Sequence, residues 1–118
     1  MPTIEITAEN IKGIVDSNEI VLVDFWAEWC GPCRAFSPVF EQASEKHEDI
    51  VFGKCDTSTQ AALASAFQIR SIPTLMVFKG GVLVSTQAGM LATPVLEELI
   101  AKVRALDSDQ LKGQSKPE

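Results

Sequence analysis

At 118 residues the chain is the size of one domain that buries roughly two thirds of its unfolded surface, so a single hydrophobic core is expected. A hydrophobic fraction of 46% against 22% charged residues of mixed sign excludes an intrinsically disordered chain. The net charge of −6, without clustered Lys and Arg, argues against nucleic acid as a partner, and no apolar run approaches the roughly 18 residues of a membrane-spanning helix.

The opening segment MPTIEITAEN carries acidic residues and no apolar stretch of the kind a secretory signal needs. Three cysteines are too few for a disulfide scaffold, so a reducing, cytoplasmic setting is the default expectation. Thr3 to Ile6 alternates weakly as a short strand, and Thr7 offers an N-cap oxygen for a helix to about Asp16. From Ile20 the run IVLVDFWA is apolar at nearly every position and rich in β-branched and aromatic residues, as in a strand covered on both faces. Asp24 is its one charged residue.

After WCGPC a helix is expected from about Pro32 to His47, with Phe36, Val39, Phe40 and Ala43 on one face and a kink at Pro38. Ile50 to Cys55 reads as another buried strand, and Ser58 to Phe67 as an Ala-rich helix ending before the Ser71-Ile72-Pro73 turn. Thr74 to Lys79 and Val82 to Thr86 flank Gly80-Gly81, a dipeptide suited to a two-residue hairpin turn. Thr93 and Pro94 suit the N-cap and N1 positions of a last helix bearing Val95, Leu96, Leu99, Ile100 and Val103. Residues 1–106 thus form one domain, and 107–118 a polar tail without periodicity. The order β-α-β-α-β-α-β-β-α implies an α/β fold with a central mixed sheet of about five strands flanked by four helices.

The chemistry is concentrated in Trp29-Cys30-Gly31-Pro32-Cys33, where a buried strand ends and a helix begins. Thiol exchange needs a thiolate, and the unpaired N–H groups of a helix N-terminus stabilise that charge, so Cys30 should have a lowered pKa. Cys33, one turn further in, is placed to resolve a mixed disulfide at Cys30, and two thiols held near bonding distance can cycle. Gly31 allows close approach of a partner, while Pro32 stiffens the turn where a missing N–H costs nothing. The alternative for a C-x-x-C is half of a zinc site completed by Cys55 and His47, although such sites usually bring a second close cysteine pair. Asp24, six positions before Cys30 and surrounded by apolar neighbours, should have a raised pKa and be able to exchange a proton with Cys33. Lys54 is expected to offset its charge. Cys55 reads as a small core residue and His47 as a solvated residue at a helix end.

The segment VDFWAEWCGPC, Val23 to Cys33, together with Ile72-Pro73-Thr74, resembles the thioredoxin family, and the element order resembles the thioredoxin fold. The resemblance implies a protein-disulfide reductase in which Cys30 attacks, Cys33 resolves, Asp24 is the buried acid–base residue and Lys54 its charged neighbour. It also implies that Pro73 follows a cis peptide bond and that Trp29, Gly31, Pro32, Ile72, Pro73, Thr74 and Gly89 form the substrate-docking surface. No bound cofactor or metal is implied. Electrons would come from NADPH through a thioredoxin reductase and pass to ribonucleotide reductase, peroxiredoxins and methionine sulfoxide reductases, with the chain acting as a monomer. The Gly-Pro spacer favours a reductant over an oxidant or isomerase, and a purely binding role for the same surface is the reading of a different class. In Gln68-Ile69-Arg70-Ser71 the chain departs from the family, which often has glycine or an aromatic residue and a small residue there.

Overall fold

The computed structural model describes residues 2–107. The expected tail therefore lies, apart from Asp107, outside the described residues. Nine elements follow in the expected order: β1 (Thr3–Glu5), α1 (Ile11–Ser17), β2 (Ile20–Trp26), α2 (Gly31–Lys46), β3 (Val51–Asp56), α3 (Ala61–Ala66), β4 (Thr74–Lys79), β5 (Val82–Ala88) and α4 (Thr93–Ala105). The strands form one mixed sheet in the order β1-β3-β2-β4-β5, parallel from β1 through β3 to β2 and antiparallel from β2 through β4 to β5. β2 is central, which explains why its residues are apolar in succession rather than alternately.

The two faces of β2 bury into two separate clusters. Ile20 and Leu22 pack with Phe52, Leu75 and Val77 beneath α2 (Phe36, Phe40, Ala43) and α4 (Leu96, Ile100, Val103). Val21, Val23 and Phe25 pack on the other face with Cys55, Met76 and Phe78 beneath α1 (Ile11, Val15) and α3 (Leu63). Each of the fully buried side chains Phe36 and Phe40 contributes on the order of 2 kcal/mol by leaving water, which holds α2 against the sheet. Gly53 in β3 has no room for a side chain, because a Cβ would run into Ile6. Gly80 and Gly81 take φ values of 59° and 82°, the two positive angles that the hairpin between β4 and β5 requires.

Several element ends differ from expectation. Thr7 does not cap α1: its Oγ1 accepts the Asn10 N–H at 3.3 Å in a preceding turn, and the helix starts at Ile11. Ser58 and Thr59 remain in a turn, where the Ser58 N–H is taken by Asp56 Oδ1 at 2.8 Å, so α3 starts only at Ala61. The cap of α4 shifts by one residue to Ala92, whose carbonyl accepts from both Val95 and Leu96, which makes Thr93 the first helical residue. β5 extends to Ala88 and carries an irregularity opposite Val77 and Phe78. α2 runs as one helix across Pro38.

Candidate active site

β2 ends at Trp26, and Ala27 to Trp29 lead directly into α2, so Cys30 becomes the N-cap of that helix. The Cys30 side chain accepts the Cys33 N–H at 3.2 Å. This satisfies one of the helix's orphan donors with sulfur and places the positive end of the helix dipole at Sγ. Cys30 and Cys33 form a disulfide with their Cα atoms 5.3 Å apart. Both are almost wholly covered, packed with Ala27 and against Trp26 and Ile72, so access to Cys30 is narrower than its place at a helix N-terminus suggests.

Around the pair the structure gathers the residues singled out in the sequence. The Ile72–Pro73 peptide bond is cis, and the Ile72 carbonyl oxygen lies 3.7 Å from Cys30 Sγ. Thr74 Oγ1 donates to the Ser71 carbonyl, and the Gly89 N–H donates to the Pro73 carbonyl at 2.8 Å, so both neighbouring segments fix this turn. Gly89 has φ of 94°, a conformation open to glycine and strained for side-chain-bearing residues. On the outer side Trp29 is 73% exposed, which removes it from the core, and Gly31 and Pro32 are exposed beside it. A groove of about 430 Å³ runs between Trp29, Ile69, Arg70 and Ile72.

Asp24 is fully buried, and neither carboxylate oxygen has a hydrogen-bond partner. It is thus neither turned to solvent nor satisfied by backbone donors. Burial pushes its carboxyl up to about 7, with the Lys54 ammonium pulling in the opposite direction. Asp24 and Lys54 are paired in register on β2 and β3, and they share the face that carries Leu22, Phe52 and α2. Lys54 Nζ, however, bonds to Ser37 Oγ at 2.8 Å and lies 3.5 Å from Glu41 Oε2, both on α2. A cavity of about 130 Å³ between Trp26, Ala27, Cys33, Ser37 and Lys54 places Lys54 and Cys33 on one wall; Asp24 does not line it.

The sequence reading missed Ser37 and Glu41, although their four-residue spacing marks one face of α2. His47 is also corrected. Its side chain is 18% exposed and bonded through Nε2 to Glu97 at 2.8 Å and through Nδ1 to Arg104 at 3.0 Å, because α4 passes over the end of α2. The zinc alternative fails on the same geometry. Cys55 faces the α1 and α3 side of the sheet, and His47 lies past the far end of the 16-residue α2, about 24 Å from its start.

A thioredoxin family profile matches residues 2–102. The chain belongs to the thioredoxin family. It is 51% identical to a putative thioredoxin 2 of Streptomyces coelicolor, over 93% of this chain and 82% of that protein. It is 47% identical, over 67% of its length, to 18% of a bifunctional thioredoxin reductase/thioredoxin of Mycobacterium leprae. Among solved structures, a point-mutant thioredoxin from Halobacterium salinarum superposes with a TM-score of 0.82 at 32% identity, covering 90% of this chain and 95% of that one. The fold is accordingly the thioredoxin fold, and the C-x-x-C pair carries the dithiol–disulfide exchange of the family. Among the described residues no helix is long and apolar enough to cross a membrane.

Proposed function

We propose that this chain reduces protein disulfides, with Cys30 as the attacking and Cys33 as the resolving thiol. The observation that carries the assignment is the N-cap geometry: the Cys33 N–H points at Cys30 Sγ from 3.2 Å and favours the thiolate there. In the dithiol form the Cys30 thiolate attacks one sulfur of a substrate disulfide. The substrate S–S bond breaks, and its other sulfur leaves as a thiolate. Cys33 then gives its proton to the Asp24 carboxylate and attacks Cys30 Sγ, so that the second substrate thiolate departs. Two electrons have passed to the substrate, and the protein is left with the Cys30–Cys33 disulfide.

Asp24 is suited to the proton step because burial holds its carboxyl near neutrality, and Lys54 moderates the charge it carries before it takes the proton. Trp29, Gly31, Pro32, Ile72, Pro73, Thr74 and Gly89 provide the docking surface, with an extended substrate segment lying along the turn at Ile72. Residues 1–106 are the working domain, which acts as a monomer in the cytoplasm.

NADPH-derived electrons return through a thioredoxin reductase, an assignment supported by the Mycobacterium leprae relative described as a bifunctional thioredoxin reductase/thioredoxin. Ribonucleotide reductase, peroxiredoxins and methionine sulfoxide reductases are the proposed recipients.

The test is trapping. Cys33→Ser should accumulate mixed disulfides that dithiothreitol releases on non-reducing gels, and Cys30→Ser should accumulate almost none. Trapping by the Cys30→Ser protein instead would reverse the two roles. Trapping by neither would remove the reductase reading.

A further inference from the structure

Lys54 stands beside Asp24 on the neighbouring strand, and adjacent strands lie only about 4.8 Å apart. A lysine in that position would ordinarily turn its ammonium to the unpartnered carboxylate. Here it does not. Nζ donates to Ser37 Oγ at 2.8 Å, Ser37 Oγ donates in turn to Glu41 Oε2 at 3.1 Å, and Nζ lies 3.5 Å from the same Glu41 oxygen. The ammonium also lies 5.2 Å from the centre of the Trp26 ring, which adds a cation–π attraction. The hydrogen bonds of Lys54 Nζ among the described residues therefore lead to α2, while both oxygens of Asp24 remain without one.

We infer that Ser37 and Glu41 are positioning residues for the acid–base step, holding the Lys54 ammonium on α2 and so keeping it from pairing with Asp24. This rests on the reading of Asp24 as the group that takes the Cys33 proton. Two effects act in the same direction. The hydroxyl and carboxylate compete for Nζ by charge-assisted hydrogen bonding, and the negative charge of Glu41 partly cancels the field of Lys54 at Asp24. The other charged or titratable groups around this cluster are Cys33, Arg34 and Glu28 on the cavity wall, Glu5 and Asp56, which line the groove on the other side of Lys54, and the Cys55 thiol, which burial pushes up to about 11. They are the same in every comparison proposed below.

The measurement is the ¹³C titration of the Asp24 carboxyl in the disulfide form, where neither cysteine of the pair titrates. The midpoint expected for the native chain is about 7. In Ser37→Ala/Glu41→Gln, Lys54 is released to Asp24, and the midpoint should fall by about one unit or more. Ser37→Ala alone, the milder change, should move it part of the way. Adding Lys54→Met to the double variant should carry the midpoint back up by more than Lys54→Met raises it in the native chain, an excess that a general loosening of α2 would not give. The pH at which substrate release from the Cys30 mixed disulfide becomes half-maximal should follow the same order. A midpoint unmoved by both α2 variants, while Lys54→Met alone raises it, overturns the inference and leaves the role of Asp24 standing. A release profile unchanged in Asp24→Asn instead overturns the role of Asp24, and with it the inference.

Discussion

The Lys79 ammonium donates to the Val103 carbonyl oxygen at 2.8 Å, tying the end of the central antiparallel strand β4 to the last turn of α4. The same ammonium reaches the carbonyls of Arg104 at 3.0 Å and Leu106 at 2.6 Å. Carbonyls at the end of a helix have no partner within it, and they carry the negative end of the helix dipole. A lysine buried to 5% exposure is tolerated here because its three donors meet three carbonyl oxygens at the end of α4, of which that of Val103 also accepts the Leu106 N–H at 3.1 Å.

Lys79→Met keeps the apolar stem and removes the cap. It should lower the unfolding free energy by about 2 kcal/mol, since hydrogen bonds to a charged group are lost. Urea unfolding at neutral pH measures this. Because α4 contributes no residue to the cysteine pair, exchange activity of the folded variant should stay at the native level. A loss below about 0.5 kcal/mol would mean that water replaces the ammonium without penalty.

Asp24 makes stability depend on pH with a definite sign. Its carboxyl titrates at about 7 in the folded chain against an ordinary 3.8, so between those values the folded state holds a proton that the unfolded state has released. Stability therefore falls as pH rises from about 4 to 7, and the full loss, on the order of 4 kcal/mol, is present above 7. Asp24→Asn should flatten this part of the profile. Denaturant unfolding of both proteins at about pH 4 and about pH 8 checks it, and parallel profiles would show that the carboxyl titrates alike in both states.

Gln68 occupies the left-handed region with φ of 57°, one residue past Phe67, the C-cap of α3. Its N–H donates to the Ser65 carbonyl and the Ile69 N–H to the Ala64 carbonyl, both at 2.9 Å, which is the paired closure of a helix C-terminus that glycine usually makes. Gln68→Gly should raise stability by up to about 1 kcal/mol, the relief of left-handed strain exceeding the added freedom of the unfolded chain. Thermal unfolding reads the change. A lower melting temperature would show that the Gln68 side chain makes up for its backbone.

The departures from the sequence reading have a common cause. The starts of α1, α3 and α4 are held by no side-chain cap, so a capping residue type in the sequence does not mark them, and near Thr7 it was Asn10 that settled the turn, its Oδ1 accepting the Thr7 N–H and its Nδ2 donating to the Glu5 carbonyl, both at 2.8 Å. His47 looked like a solvated helix end because Glu97 and Arg104, its partners, are about fifty residues away in the chain. Lys79 carried no signal at all. A lysine closing a strand is ordinarily exposed, and only the packing of α4 across β4 surrounds it with carbonyls.

By itself the sequence determined the order of the elements, because apolar runs at strand and helix periods have few ways to be buried together. It also determined the cysteine pair at a strand-to-helix junction and the anomaly of one carboxylate within IVLVDFWA. Tertiary structure alone decided where the charges of that site point. Whether Lys54 neutralises Asp24 or binds Ser37 and Glu41 depends on how α2 lies over β3, and electrostatic energy varies with ångström-scale distance, to which a pattern of residue types is blind.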